Sequence, residues 1–135
     1  MVQTVTSVAM DNPASDPAIN EAATFTMDGT ASLSGTHEGD YDAHHQWDQG
    51  LGDSDGNYTD LTGSGNLSTA STNPEVNIAG TSIASITVTG NTAGTYFVRI
   101  QTVDHEDSDN TDTSATQEVT VSAVGGAGRR IIMVN

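Results

Sequence analysis

Cysteine and lysine are both missing from this 135-residue chain, and aromatic residues make up only 4% of it. Without cysteine there is no disulfide, no thiolate ligand for zinc and no thiol nucleophile. Such a fold is stable without oxidation or matures in a reducing compartment. Without lysine, three arginines stand against 18 acidic residues, and the net charge is −15. Phosphate recognition needs a positive face, so nucleic acid is excluded as a direct partner. No apolar run approaches the roughly 18 residues of a membrane span, so no membrane association is expected. The opening MVQTVTSVAM has neither a basic n-region nor a continuous apolar h-region, so no signal peptide is expected. GxSxG, Walker and HExxH motifs are also missing. Carboxylate pairs occur by chance among 18 acids and carry no signal, so no enzyme is expected.

What is present is strand sequence. The stretch Ser82–Asp104 reads as two strands around one turn. Ile86 and Val88 sit two apart, Gly90-Asn91 breaks the run, and Tyr96, Val98 and Ile100 alternate with Phe97, Arg99 and Gln101. Period two with β-branched and aromatic residues places Tyr96, Val98 and Ile100 on one face. Val2–Met10 reads as a first strand and Ala22–Asp28 as a second, with Ala23, Phe25 and Met27 inward. Residues 30–41 read as a Ser/Gly-rich acidic loop. Asp42–Asp48 is a third strand, with Ala43, His45 and Trp47 on one face and His44 and Gln46 on the other. Short strands are expected near Tyr58–Leu61, Asn66–Ser68 and Glu75–Ile78 within the glycine-punctuated 49–81 region. Asp104–Asp112 reads as a polar hairpin loop, and Thr116–Ala123 as a last strand with Val119 and Val121 on one face.

The Ile86-x-Val88 and Ala93-Gly94-x-Tyr96-x-Val98 pattern resembles the E and F strands of immunoglobulin-like domains, with Val98 at the usual cysteine position. Met27-Asp28-Gly29-Thr30-Ala31-Ser32, and Trp47-Asp48 followed by Gly50 and Gly52-Asp53, resemble the FDGSAS and WDFGDG stretches of the polycystic kidney disease (PKD) type. The resemblance covers roughly residues 20–123. Met27 replaces phenylalanine, and the second motif is more loosely spaced. It implies an all-β, Ig-like β-sandwich of two antiparallel sheets with about seven to nine strands. It further implies a corner tyrosine at Tyr96, a core centred on Trp47, and Gly29 at the first cysteine position, leaving room for Trp47. The expected core comprises Phe25, Trp47, Ile86, Val88, Tyr96, Val98 and Ile100.

Residues 1–124 are therefore expected to form the sandwich, and 125–135 a glycine-rich linker and arm. The arm holds two of the three positive charges, Arg129 and Arg130, before Ile131, Ile132, Met133 and Val134. Such a segment is an aggregation hazard unless it pairs, so it is expected to dock by strand addition, with the arginines on carboxylates of a neighbour. Asp53-Ser54-Asp55-Gly56 lacks the glycine position and terminal glutamate of an EF-hand. A looser calcium site would use Asp53 and Asp55 with Asp107 or Asp109; solvated acidic loops are the simpler expectation, and no other cofactor is expected. Histidines 37, 44, 45 and 105 do not make a zinc site, because neighbours on a strand face opposite ways. Asn57-Tyr58-Thr59 and Asn66-Leu67-Ser68 fit the glycosylation sequon but read as ordinary turn sequence.

An Ig-like sandwich without leader or disulfide fits a phage virion protein, made in host cytoplasm and displayed on the virion surface. The expected function is a non-enzymatic capsid decoration (cement) protein. It would dock through its terminal segments on the major capsid protein or another virion protein, with self-association as a further contact. The acidic loops 37–60 and 104–112 would face solvent or host-surface glycans. The alternative is an extracellular bacterial adhesion module that binds carbohydrate or cell surfaces with calcium, for which Tyr41 and Tyr58 are the candidate aromatics.

Overall fold

The computed structural model describes residues 4–10, 24–34, 41–48, 57–70, 73–76 and 82–122. Alternation builds its longest strands. These are β1 (Thr4–Met10), β2 (Thr24–Ser34), β3 (Tyr41–Asp48), β7 (Ser82–Gly90), β8 (Gly94–Asp104) and β10 (Gln117–Val121). Between them lie the shorter β4 (Tyr58–Asp60), β5 (Leu67–Ser68), β6 (Glu75–Val76) and β9 (Thr111–Thr113). In β8 the buried Tyr96, Val98, Ile100, Thr102 and Asp104 alternate with half-buried Phe97, Arg99, Gln101 and Val103. One face of that strand meets the core and the other looks outward.

All described strand pairs are antiparallel. One sheet runs β1-β2-β7-β5; the other runs β10-β8-β3-β4, with β6 on β3 and β9 on β8. These are the A-B-E-D and G-F-C-C′ sheets of an immunoglobulin-like sandwich. The chain is an all-β, Ig-like β-sandwich. β9 and β10 occupy one edge position along β8, and β4 and β6 share the far edge of β3, so ten ladder segments fill eight positions. Ser114 bridges the interruption between β9 and β10: its N–H donates to the Ile100 carbonyl at 2.8 Å, and its Oγ accepts from the Ile100 N–H at 2.9 Å.

The core lies between the sheets. Phe25, Trp47, Ile86, Val88, Tyr96, Val98 and Ile100 are all buried in it, joined by Met27, Tyr41, Leu67, Val119 and Val121. Tyr96 packs edge-on against Trp47 with ring centroids 5.9 Å apart, and its hydroxyl donates to the Thr92 carbonyl at 2.8 Å. That is the tyrosine corner the resemblance implied. Tyr96→Phe removes this one bond and leaves the Thr92 carbonyl at the surface. The expected loss is about 1 kcal/mol, read as a lower urea midpoint at unchanged slope.

Several boundaries differ from the expectation. β2 runs through Gly29 to Ser34, because Gly29–Ser34 pairs with β1; residues 30–34 are strand rather than loop. Gly29 does not make room for Trp47. A Cβ there would meet the Ala9 carbonyl oxygen of β1 and, at 3.3 Å, Cδ1 of Ile100. The glycine beside the indole is Gly65, at φ 116°, where a Cβ would sit 3.2 Å from Trp47 Cζ2. The hairpin after β8 is shorter than 104–112, since Asp104 ends β8 and Thr111–Thr113 forms β9. A bulge explains Ile83, which lies three residues before Ile86 and would face outward in an unbroken strand. Met27 pairs with Ile86 and Gly29 with Ile83, so β7 carries one extra residue there and Ile83 turns inward.

Register also sorts the connections. Tyr41 pairs with Asp104 at one end of the six-stranded sheet, whereas Asp48 pairs with Tyr58 at the other, where Val121 of β10 pairs with Gly94. The hairpin after β8 and the C-terminal end of β10 therefore lie at opposite ends of the sandwich.

Candidate functional site

The outer face of the six-stranded sheet carries the densest polar constellation. It grows from β3, whose Asp42, His44 and Gln46 point away from the core face of Tyr41, Ala43, His45 and Trp47. Antiparallel pairing sets Gln46 between Arg99 of β8 and Asp60 of β4. Arg99 Nε donates to Gln46 Oε1 at 2.8 Å. Gln46 Nε2 donates to Asp60 Oδ1 at 3.0 Å and to Gln101 Oε1 at 3.3 Å. Gln46 is only 7% exposed although it lies on the outward face, because its neighbours close over it. The Arg99 guanidinium stacks 4.0 Å from the Tyr58 ring centroid, in cation–π geometry. His44 Nδ1 lies 2.7 Å from Asp60 Oδ2. Burial pushes the Asp60 carboxyl up, but donation from Gln46, His44 and Asn73 and the His44 charge outweigh it and hold the group below its usual value. A filled network of this kind locks each side chain's orientation. Arg99 is also the one cation among the described residues.

A second constellation closes the hairpin end. Asn110 Nδ2 donates to Tyr41 Oη at 2.9 Å and to Asp104 Oδ2 at 3.0 Å, while the Glu106 N–H donates to Asp104 Oδ1 at 2.8 Å. Burial raises the Tyr41 hydroxyl's pKa, with the fields of Asp104 and Asp107 adding to it and Asn110 opposing. His105 Nε2 lies 2.8 Å from Asp42 Oδ1.

These placements bear directly on the expected site residues. Tyr41 is fully buried and cannot offer its ring to a ligand, whereas Tyr58 is half-buried on the outer face. Asp107 and Asp109 are exposed and serve the hairpin itself: Asp107 Oδ1 accepts from the Asp109 N–H at 3.1 Å. Asp53 and Asp55 lie outside the described residues, on a connection that starts after Asp48 and ends before Asn57. Among the described residues no three His, Asp or Glu side chains are placed to hold a metal ion. The acidic span 37–60 is not one loop, since β3 and β4 occupy much of it. His37 and the arm residues Arg129, Arg130, Ile131, Ile132, Met133 and Val134 lie outside the described residues. Gln46, Asp60 and Arg99 were not singled out by sequence; their meeting depends on which strands become neighbours.

No family model matches the chain, and no curated protein matches it. Among solved structures it is similar to the ASH / PapD-like domain of human CEP192 (PapD-like domain 7). The TM-score is 0.46 at 13% identity, covering 89% of this chain and 87% of that one. The immunoglobulin-like assignment rests on strand order and the tyrosine corner.

Proposed function

We propose that this chain is a non-catalytic display module of a virion surface, a capsid decoration protein whose sandwich projects outward and whose C-terminal arm docks on the shell. The observation that supports this reading is the separation of charge. All 18 acids and Arg99 lie in residues 1–122, a net of −17; residues 123–135 hold Arg129 and Arg130, a net of +2, and the two sum to −15. An acidic body repels its copies and stays soluble at high local density, while a short basic and apolar segment provides the attachment. β10 ends at the end of the sandwich opposite the Asp104–Asn110 hairpin, which suits a reading in which the hairpin faces away from the shell. Repeated copies would multiply weak individual contacts. The PKD type belongs to the same proposal, carried by Met27–Ser32 and Trp47-Asp48.

A second reading, a carbohydrate- or surface-binding adhesion module, is favoured by one feature. Tyr58, Arg99, Gln46, Gln101 and Asp60 form an oriented polar face with an aromatic ring at its edge.

Co-sedimentation of full-length protein and a 1–124 truncation with empty capsids, intact cells and immobilised glycans separates the two. The decoration reading expects saturable capsid binding that falls at least tenfold on truncation while the far-UV spectrum is unchanged. Binding to cells or glycans that ignores the truncation and is lost in Arg99→Ala would overturn it in favour of adhesion.

A further inference from the structure

His45 is the most anomalous side chain of the interior. It sits on the inward face of β3 between Ala43 and Trp47, pairs across to Ile100 of β8, and is 1% exposed. Neither Nδ1 nor Nε2 has a partner at good hydrogen-bonding geometry among the described residues, although the Ala43 and Met27 backbones lie near enough to favour a proton on the ring. A neutral imidazole always presents one donor and one acceptor, and buried polar groups nearly always find partners. A leucine or phenylalanine would fill this position without that penalty. What histidine adds is the capacity to take up a proton.

We propose that His45 is an acid-responsive core residue, whose protonation drives the two sheets apart and exposes the apolar interior under mildly acidic conditions. No carboxylate is hydrogen-bonded to the ring, and among the acids only the field of Asp60 favours its charged form. On β3 itself, His44 points to the opposite face and Asp48 closes the strand's far end. On β4, Asp60 lies on the outer face, already engaged by His44 and Gln46. β2 brings the Met27 backbone to the ring, and the next residue, Asp28, keeps its own Oδ1 buried without a partner. β8 supplies Ile100, with Asp104 four residues on at the sheet's end; β7 and β10 contribute Ile86, Val88, Val119 and Val121 to the core. An imidazolium formed here is a charge in a dry, apolar space, and it gains hydration only when the sheets part.

The sign of the effect follows. Burial holds the imidazole down from 6.5 to about 4; the Ala43 and Met27 backbones and Asp60 pull the other way, and His44 deepens the depression. The closed form therefore resists a proton that the open form accepts. Stability is intact above pH 6.5 and is lost as pH falls toward 4. The opening constant rises by up to tenfold per pH unit, roughly 80-fold between pH 6.5 and pH 4. The depressed Asp60 carboxyl contributes its own loss only below its usual 3.8, outside this window.

The test uses the full chain. Urea unfolding of wild type and His45→Leu is followed from pH 7.5 to 4.5, alongside an NMR titration of the wild-type His45 ring with near-UV dichroism and dye binding. The expected result is a steep fall of the wild-type unfolding midpoint below pH 6.5 and a flat profile for His45→Leu. Ring protonation should coincide with loss of the Trp47 near-UV signal. Parallel losses in both proteins would overturn the proposal, as would a ring that titrates while the near-UV signal persists. The wild-type titration decides the matter even where His45→Leu fails to fold.

Discussion

Replacing Trp47 with alanine is expected to lower the stability of the sandwich by about 4 kcal/mol, the range of large aromatic truncations in cores. The indole is 6% exposed and stands where both sheets and the β4–β5 connection converge. Val98 of β8 and Thr59 of β4 flank it across the sheet, Tyr96 meets it edge-on, and Gly65 closes over Cζ2. Removing it leaves a cavity that no neighbour can fill without leaving its rotamer. The Tyr96 contact is lost with it, itself worth about 0.5–1.5 kcal/mol beyond burial. Against a total stability of about 5–15 kcal/mol for a domain, the variant is expected to be partly unfolded at 37 °C. Trp47→Phe keeps a ring in the site and is expected to lose about half as much. Far-UV dichroism in urea measures both, since the chain's single tryptophan fluorophore is absent from each variant. A loss below about 1 kcal/mol for Trp47→Ala is the level of an ordinary surface change, and would place the indole outside the core.

That centre was legible in the sequence, and so were β8 and β10, for a common reason. Tyr96, Val98 and Ile100 in β8, and Val119 and Val121 in β10, fall at every second position, and all five are buried. Legibility ended where the chain used small residues or broke its own period. Gly29-Thr30-Ala31-Ser32 has the composition of a loop, yet it is strand, because it pairs with Ser7–Met10 of β1, whose close approach at Gly29 excludes a larger side chain. Ile83 lies out of phase with Ile86 and Val88, and only a bulge returns it to the core. The short β4, β5 and β6 fall inside the stretches expected for them, whereas β9, three polar residues without alternation, overlaps the end of what reads as a loop. The outer-face network is illegible for a different reason. Gln46 and Asp60 lie 14 residues apart, and Gln46 and Arg99 53 apart; nothing local marks any of them as partners. The inward direction of His45 follows from alternation beside Trp47. Its lack of a partner is a property of the assembled interior.

The chain-pairing role of Gly29 leads to the second large effect. Gly29→Ala is expected to cost about 3 kcal/mol and to release β1 selectively. The added methyl would run into the Ala9 carbonyl oxygen on one side and lie 3.3 Å from Ile100 Cδ1 on the other. Ile100 can adjust its terminal carbon; the Ala9 carbonyl belongs to the backbone of a paired strand and moves only if the strand moves. β2 is held by β7 on its far edge, whereas β1 is an edge strand whose one ladder partner among the described residues is β2, so β1 yields. Overpacking of this kind typically costs about 1–3 kcal/mol, and the broken β1–β2 ladder adds to it. Gly90→Ala provides the contrast. Its methyl would meet Cγ2 and Cγ1 of Val121 at 2.7 and 2.9 Å; no rotamer of this β-branched side chain clears both, but Val121 is the last residue of the edge segment β10, whose end can shift without parting other strands. The expected loss there is smaller, about 1 kcal/mol. Amide hydrogen exchange distinguishes the two directly. In Gly29→Ala the amides of Thr4–Met10 should exchange rapidly while those of β3 and β8 stay protected, the signature of local rather than global opening. Equal losses in the two variants, or exchange that rises evenly over all strands, would show that Gly29 supports the whole sandwich rather than the docking of its first strand.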